Sequence, residues 1–398
     1  MLQLKRFFGP STLIAAAFIG PGTLTTCTMA GVQSGYKLLW ALAFAMVAAT
    51  VLQEMSARLG LVTKEGLGES LRHMGQGRWL GVATAVLVIS AIGIGNAAYE
   101  SGNIAGTTLG AELVLGAWSG WPLAIGVLAG CLLLLGKYQW IERALITLVV
   151  VMTLCFLITA IVIGPSIPAI LRGFMPTSLQ SGDLLLAVAL IGTTVVPYNL
   201  FLHASVISKK YNSETHLRAV RVENITAILL GGAISVLIVI TAAASRESVS
   251  SISHAGELAV QLEPVLGQYA KYAIGMGLLA AGLSSTLTAP LATGYALHGM
   301  LGWSGTEQSM AFRATVTSVV LAGVLVAMLD VKLLSVIKFA QVTNAVLLPV
   351  IAGFLLWACN SKQLLGRYTN SMSRNIVAGL VLLICVSLSL RTFQKLFF

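Results

Sequence analysis

Eleven long stretches without Asp, Glu, Lys or Arg run through this chain of 398 residues. A helix needs roughly 17–25 mainly apolar residues to cross a bilayer; most of the stretches reach that length, and all eleven are predicted to be transmembrane spans. Only 10% of the residues are charged, against about 25% in soluble domains. The sequence therefore predicts an all-α integral membrane protein, with one transmembrane domain over residues 1–398. The stretches are residues 7–36, 38–53, 79–99, 113–136, 144–171, 184–208, 225–245, 272–306, 314–329, 339–361 and 375–390.

Lys and Arg are concentrated in the connections that fall on one side of such a bundle. Basic residues mark cytoplasmic connections, so we predict a cytoplasmic N-terminus and an external C-terminus in a bacterial-type plasma (inner) membrane. This asymmetry accounts for most of the net charge of +10, and no nucleic-acid partner is predicted. The expected partners are the lipid bilayer and a small solute or metal ion, and we expect a monomer. No catalytic constellation and no cofactor motif is found, so an enzyme is not predicted.

Two of the spans are interrupted near their centres by proline motifs. Residues 19–23 read Ile-Gly-Pro-Gly-Thr, and residues 195–199 read Val-Val-Pro-Tyr-Asn. Proline lacks an N–H and clashes with the carbonyl four residues earlier, so a regular helix does not continue through it. In hydrocarbon, unpaired backbone is tolerated only where it lines a cavity or is buried in protein. Paired breaks of this kind indicate the binding site of a transporter.

The positions of the breaks also predict an internal repeat. Pro21 and Pro197 fall in the first and sixth spans, which divides the chain into two five-span units at approximately 7–171 and 182–361. Five is an odd number, so the second unit must insert upside down relative to the first. The predicted architecture is a 5+5 inverted repeat with helices 1 and 6 broken at mid-membrane, and an additional eleventh helix over 374–396.

Several motifs have a recognisable order along the chain. Residues 20–23 read Gly-Pro-Gly-Thr, 35–40 Gly-Tyr-Lys-Leu-Leu-Trp, 58–63 Arg-Leu-Gly-Leu-Val-Thr, 196–203 Val-Pro-Tyr-Asn-Leu-Phe-Leu-His and 277–286 Gly-Leu-Leu-Ala-Ala-Gly-Leu-Ser-Ser-Thr. Together they resemble the NRAMP family of proton-coupled divalent-metal transporters, which have the LeuT fold. The resemblance covers most of the chain and implies alternating-access secondary transport.

The resemblance also shows where this chain departs from the family pattern. The family usually reads Asp-Pro-Gly-Asn at the first break and Met-Pro-His-Asn at the second, and its Asp, Asn and Met bind the metal. Here those three positions are Gly20, Thr23 and Val196, and the first histidine of the second motif is Tyr198. The predicted substrate-binding residues are Gly20, Pro21, Gly22, Thr23, Thr26, Thr193, Val196, Tyr198, Asn199 and Gln341, all of them neutral.

A neutral site compensates a dehydrated divalent ion poorly, because such ions give up water only for strong donors such as carboxylates. A glycine-rich break followed by a helix start suits an anion instead, and the Tyr198 ring can stack on an organic group. We therefore predict a small organic, anionic or zwitterionic solute as substrate. The alternative is a partly hydrated divalent cation, magnesium or manganese, with proton coupling. A third functional class is a sensor or receptor that binds its ligand without moving it, and the structural alternative for the two breaks is a pair of kinks.

Two ionisable residues are candidates for ion coupling. The resemblance implies proton movement through Glu100 in span 3 and His203 in span 6. The alternatives are a carboxylate near the outer surface that is solvated or paired, and a buried structural histidine. The coupling ion is expected to be a proton, with sodium as the alternative. Glu54 and Arg58 have the i,i+4 spacing of a helical ion pair. Further polar residues in spans 8 and 10 are suited to line the path: Ser284, Ser285, Thr286, Thr288 and Asn344.

Overall fold

A computed structural model describes residues 19–74, 82, 85–86, 89–135, 139–176, 182–246, 255–303, 307–329 and 332–397. Helices dominate these residues, and we number the longer ones α1 to α14. They are α1 Pro21–Ser34, α2 Leu39–Thr63, α3 Leu67–Met74, α4 Gly95–Leu115, α5 Trp121–Leu135, α6 Gln139–Ile163, α7 Ile167–Gly173, α8 Asp183–Thr194, α9 Pro197–Lys210, α10 Leu217–Ala244, α11 Ala270–Leu301, α12 Met310–Ala327, α13 Leu333–Asn360 and α14 Met372–Phe397.

Seven helical segments in the described part of the chain, some of them made of more than one helix, are long and apolar enough to cross a membrane. Two shorter apolar helices, Trp121–Leu135 and Thr147–Ile163, accompany them. Residues 7–18 of the predicted first span and much of the predicted third span lie outside the described residues. The count of eleven spans therefore stays a prediction. The seven segments are Pro21–Thr63, Asp183–Lys210, Glu214–Ala244, Gly256–Leu301, Met310–Ala327, Leu334–Asn360 and Met372–Gln394.

The predicted sixth span is divided in two at the expected place. α8 ends at Thr194, Val196 has an extended backbone with φ −87° and ψ 120°, and α9 begins at Pro197. At the first break, Gly20 is extended with φ −98° and ψ 177°, and Pro21 opens α1. Proline suits this first helical position because its φ is already helical and no N–H is needed there. The preceding half of that span, including Ala17, lies outside the described residues.

Two helices continue through charged residues that bound the predicted spans. α4 extends to Leu115 and contains Glu100, although the uncharged stretch ends at residue 99. α2 extends to Thr63 and contains Glu54 and Arg58, beyond the stretch that ends at residue 53. Both helices tolerate these groups because the protein interior encloses them and supplies polar partners. Charge-free length alone therefore places these helix ends too early.

Small residues let the central helices approach one another closely. A Cβ added at Gly110 on α4 would lie 2.6 Å from the backbone nitrogen of Leu279 on α11. A Cβ at Gly60 on α2 would lie 2.2 Å from the carbonyl oxygen of Ala204 on α9. Close backbone approach at small residues is typical of helix packing in membranes, where apolar side chains gain little by leaving lipid. These contacts fix the helices that surround the two breaks.

The outer surface of the bundle is apolar, as a lipid-facing surface must be. Ile161 on α6, Leu325 on α12 and Leu383 on α14 are more than half exposed. α14 lies at the edge of the bundle, where only 28% of its most apolar stretch is buried. The interior is also largely apolar and encloses a smaller number of polar side chains such as Asn199 and Gln341, so apolar groups face the lipid and polar groups are sheltered from it.

Candidate functional site

The two breaks lie side by side in the centre of the protein. The hydroxyl oxygens of Thr23 on α1 and Thr193 on α8 are 3.0 Å apart, although the residues are 170 positions apart in the chain. Thr26, Val196 and Asn199, which flank the breaks, are also buried. The fold thus brings together the predicted substrate-binding residues of α1, α8 and α9.

Side chains from three further helices surround the first break. A Cβ at Gly20 would lie 3.0 Å from Ser285 Oγ on α11 and 3.5 Å from the Tyr99 hydroxyl on α4. A Cβ at Gly22 would lie 2.1 Å from the side-chain nitrogen of Gln341 on α13. The space that a longer side chain would need at these two positions is therefore already filled by hydroxyl and amide groups.

Several of these polar groups are buried without a hydrogen-bond partner. They are both amide atoms of Asn199, Oγ of Ser285 and Oε1 of Gln341. A buried polar atom that lacks a partner costs roughly 1–3 kcal/mol, and each such atom in a native structure needs an explanation. A polar ligand bound beside the two broken helices would satisfy these atoms. The two amide oxygens accept, Asn199 Nδ2 donates, and the Ser285 hydroxyl can do either.

An aromatic pair completes one wall. The rings of Tyr99 on α4 and Tyr198 on α9 have centroids 5.1 Å apart at an interplanar angle of 59°. Val196 and Ala340 pack in the same apolar cluster. On the other side, Pro21 packs on Gly106 of α4, where an added Cβ would lie 2.0 Å from Pro21 Cβ. Apolar surfaces thus hold the break in position around its polar groups.

Glu100 faces away from this wall. Its Cγ lies 2.7 Å from the place of a Cβ at Gly323, so the side chain packs against α12. Asn103 Nδ2 donates to Glu100 Oε2 at 3.1 Å, while Oε1 is buried without a partner. The residue is fully buried, which the hypothesis of a solvated carboxylate does not allow. Its role in coupling stays a prediction.

His203 lies between α9 and α2. Its Nδ1 and the Oε1 of Gln53 are 2.6 Å apart, and both residues are buried. Its other ring nitrogen, Nε2, is buried without a partner. His203 therefore has a fixed side chain with one free nitrogen, and its predicted coupling role is untested.

The predicted pair of Glu54 and Arg58 is confirmed and belongs to a larger network. Arg58 is fully buried and lies 3.3 Å from Glu54, which also accepts a hydrogen bond from Arg221 on α10 at 2.8 Å. Arg58 donates to Asn370 Oδ1 at 2.5 Å and to the carbonyl of Tyr368. The network joins α2, α10 and the segment before α14 at the predicted inner end of the bundle.

A cavity of about 260 Å³ opens at the same predicted inner side, around the end of α9. Glu307 beside it accepts hydrogen bonds from Lys209 and from the hydroxyl of Tyr295, each at 2.6 Å. Burial alone would raise the pKa of the Glu307 carboxyl, but the two hydrogen bonds and the Lys209 charge outweigh it, so this pKa lies below its ordinary value. These contacts hold the inner end of α9 against α11.

At the opposite end, the segment Ala255–Leu262 covers α1 and α10. Gln261 Nε2 donates to Thr28 Oγ1 at 2.7 Å, and Thr241 Oγ1 donates to Gln261 Oε1 at 3.2 Å. Leu258 and Leu262 of the segment are fully buried. The central residues are thus enclosed by side-chain contacts towards both ends of the bundle.

Within the residues that the structure describes, no three His, Cys, Asp or Glu side chains are grouped so that they could hold a metal ion. Two residues near the breaks and the coupling candidates were missed by sequence reasoning, Tyr99 and Gln53. A signal existed for Gln53, because it is a polar residue in an otherwise uncharged apolar stretch. Tyr99 carried no comparable signal, because only the fold shows that it faces the first break.

The family model described as natural resistance-associated macrophage protein-like (Nramp) matches residues 11–395. The divalent metal cation transporter MntH of Agrobacterium fabrum is 31% identical over 314 residues, which cover 74% of this chain and 66% of that protein. The chain thus spans about two thirds of that relative's length.

Solved structures show the same fold. The manganese transporter of Eremococcus coleocola, in complex with an aromatic bis-isothiourea substituted compound, has a TM-score of 0.78 and 22% identity over 97% of this chain and 85% of that chain. MhsT in complex with L-phenylalanine has a TM-score of 0.64 and 14% identity over 97% of this chain and 98% of that chain. The described helices therefore adopt the LeuT-type transporter fold.

Proposed function

The chain belongs to the Nramp family of membrane transporters, and on that basis we propose that it moves a partly hydrated divalent metal cation by alternating access. Relatives about 30% identical to it are named divalent metal cation transporters. Those names favour the cation over the organic solute that the sequence alone predicted. The inverted repeat, the eleven spans and the cytoplasmic N-terminus are part of the same proposal.

The observation that carries the proposal is the set of unpartnered polar atoms at the breaks. Asn199 Oδ1, Gln341 Oε1 and Ser285 Oγ are buried acceptors that lack donors. The water molecules of a hydrated cation present O–H donors in all directions. Such an ion would satisfy these acceptors through its own water shell, which a neutral site supports better than direct coordination.

The missing family residues explain why water is retained. Gly20 and Thr23 supply no carboxylate or amide, and Val196 supplies no sulfur. Magnesium dehydrates reluctantly and usually keeps several waters when it binds to protein. Without a thioether, nothing in this residue set favours a transition metal over a hard cation. We therefore expect magnesium and manganese to be accepted, with weak discrimination between manganese and calcium.

Transport requires the central residues to become accessible from each side in turn. The described contacts represent a closed arrangement, with Gln261 across the outer end and the Lys209–Glu307 pair at the inner end. α9 begins at the break and ends at Lys210, next to the Lys209–Glu307 pair, so a movement of this half-helix would open the inner side. A proton is the proposed coupling ion, carried by Glu100 or His203, and sodium is the alternative.

A second candidate substrate is a small zwitterion or organic acid. Asn199 Nδ2 is a buried donor without a partner, and the Tyr99–Tyr198 pair offers an aromatic surface. An ammonium group would satisfy the acceptors, and a carboxylate would accept from the amide. This candidate ranks second because it lacks support from the named relatives.

The test is uptake by purified protein in proteoliposomes. Mg²⁺, Mn²⁺ and Ca²⁺ are offered separately across a pH gradient, with Gln341→Leu as the site variant. The matched control is Thr343→Val on the same helix, because the Thr343 hydroxyl bonds only the Phe339 carbonyl of its own helix in the described contacts. Saturable uptake that Gln341→Leu impairs and Thr343→Val leaves intact would support the proposal. Folded protein that transports none of the three ions would refute it.

A further inference from the structure

We propose that Gln53 is a positioning residue that fixes the tautomer of His203, so that Nδ1 carries the ring proton and Nε2 is the nitrogen free to accept another. The inference rests on the proposed function insofar as it assigns a coupling role to His203. The tautomer itself is a property of the folded protein and is testable without any transport.

The geometry is that of a short, buried hydrogen bond. Gln53 Oε1 on α2 lies 2.6 Å from His203 Nδ1 on α9. The exposed fractions are 2% for Gln53 and zero for His203. An amide oxygen has lone pairs and no hydrogen, so the imidazole nitrogen facing it must be the donor. In a neutral imidazole one nitrogen is protonated and the other is not, so Nε2 is left with its lone pair.

Nε2 of His203 is the ring nitrogen whose hydrogen bonding is left unsatisfied. It is buried and has no hydrogen-bond partner, so the lone pair is neither screened by water nor satisfied by protein. An unpartnered buried acceptor is costly, and binding a proton donor relieves that cost. Because Nδ1 already donates to Gln53, Nε2 is the ring atom that accepts a further proton.

The interface that carries this contact is rigid. The Ser56 hydroxyl on α2 donates to the carbonyl of Leu200 on α9. One turn further along α2, Gly60 packs on the Ala204 carbonyl, which an added Cβ would approach to 2.2 Å. Gln53 therefore reaches His203 from a helix whose position relative to α9 is fixed independently of the amide. Ser56→Ala supplies a matched control, since it removes a hydrogen bond of the same interface without touching His203.

Other ionisable groups near α9 are engaged elsewhere or lie towards its ends. Glu54, next to Gln53, is paired with Arg58 and Arg221. Besides His203, the ionisable groups on α9 and on the helices packed against it are Glu54 and Arg58 on α2, Glu69, Arg72 and His73 on α3, Tyr198, Lys209 and Lys210 on α9, Lys271, Tyr272, Tyr295 and His298 on α11, and Lys338 and Cys359 on α13. Among the described hydrogen bonds, that with Gln53 is the one that His203 makes.

The experiment uses the full chain in lipid nanodiscs with ¹⁵N-labelled histidine rings. The chain has 5 histidines, and His203→Gln identifies the His203 resonances by their disappearance. In the wild type we expect Nδ1 in the protonated range and Nε2 in the unprotonated range at neutral pH. Gln53→Met should move Nε2 into the protonated range or mix the two forms, while Ser56→Ala, which leaves the Gln53 amide in place, should preserve the wild-type pattern.

A protonated Nε2 in the wild type, or an unchanged tautomer in Gln53→Met, would overturn the inference. The second arm measures the pH profile of cation uptake in the same variants. Gln53→Met should shift that profile and Ser56→Ala should not. If the wild type transports no cation at all, the proposed function fails while the resonance pattern still decides whether Gln53 sets the tautomer.

Discussion

Gly106 on α4 packs against Pro21 at the first break, and the substitution Gly106→Ala should displace Pro21. The added Cβ would lie 2.0 Å from Pro21 Cβ, so the ring must retreat by about 1.5 Å to restore an ordinary carbon–carbon separation of about 3.5 Å. That movement would break the 3.0 Å contact between Thr23 and Thr193. Overpacking costs about 1–3 kcal/mol, and the helix preference of alanine offsets up to about 1 kcal/mol. Net destabilisation of about 1–2 kcal/mol is therefore expected.

The same displacement should weaken cation binding. Binding must then restore the arrangement of Thr23 and Thr193, and a cost equal to one buried hydrogen bond, about 1 kcal/mol, corresponds to roughly fivefold weaker binding of Mg²⁺ or Mn²⁺. Thermal unfolding in detergent and calorimetric titration measure the two effects. Gly130→Ala on α5 is the matched control, because no atom lies within 4 Å of its added Cβ. Equal melting temperatures and affinities for the two alanine variants would refute the proposed packing of Pro21.

Three further substitutions test separate parts of the site. Gly20→Asp alone should destabilise the protein, since Ser285 Oγ occupies the space at 3.0 Å, and adding Ser285→Ala should restore folding and strengthen Mn²⁺ binding in calorimetry. Arg58→Met should lower thermal stability by about 1–3 kcal/mol, because the Asn370 and Tyr368 oxygens lose their donor while Glu54 keeps Arg221. The pKa of the Glu307 carboxyl is lowered, so its contacts with Lys209 and Tyr295 stabilise the folded protein fully at pH values above the ordinary pKa. This stabilisation is lost as the pH falls through the lowered pKa. Glu307→Gln should remove that pH dependence from melting curves, with an effect below about 1 kcal/mol for so exposed a pair.

The sequence predicted those features that follow from local chemistry. Proline interrupts a helix wherever it occurs in the helix interior, so the break before Pro197 and the helix start at Pro21 follow from the positions of the two prolines in the sequence. The family resemblance likewise predicted the fold, and the i,i+4 spacing predicted the Glu54–Arg58 pair. Each of these depends on residues close in the chain or on motifs in a fixed order.

Contacts between distant segments were not predictable in this way. Tyr99 reaches Gly20, and Gln53 reaches His203, only because α4 and α2 pack beside the broken helices. Glu100 and Tyr99 are neighbours in sequence, yet one packs against α12 and the other against the first break. Helical periodicity separates adjacent side chains by about 100°, but it does not say which neighbour each one meets. The neutral composition of the site was visible in the sequence, whereas its unpartnered atoms were not.

The central claim is that a neutral site at two broken helices binds a hydrated divalent cation. Calorimetry on purified protein decides it most directly, with Mg²⁺, Mn²⁺ and Ca²⁺ titrated alongside a panel of small acids and zwitterions in one buffer. We predict saturable binding of Mg²⁺ and Mn²⁺ that Gln341→Leu abolishes, with no binding from the organic panel. Binding of an organic solute by folded protein that ignores all three cations would contradict the claim and assign the site to the other substrate class.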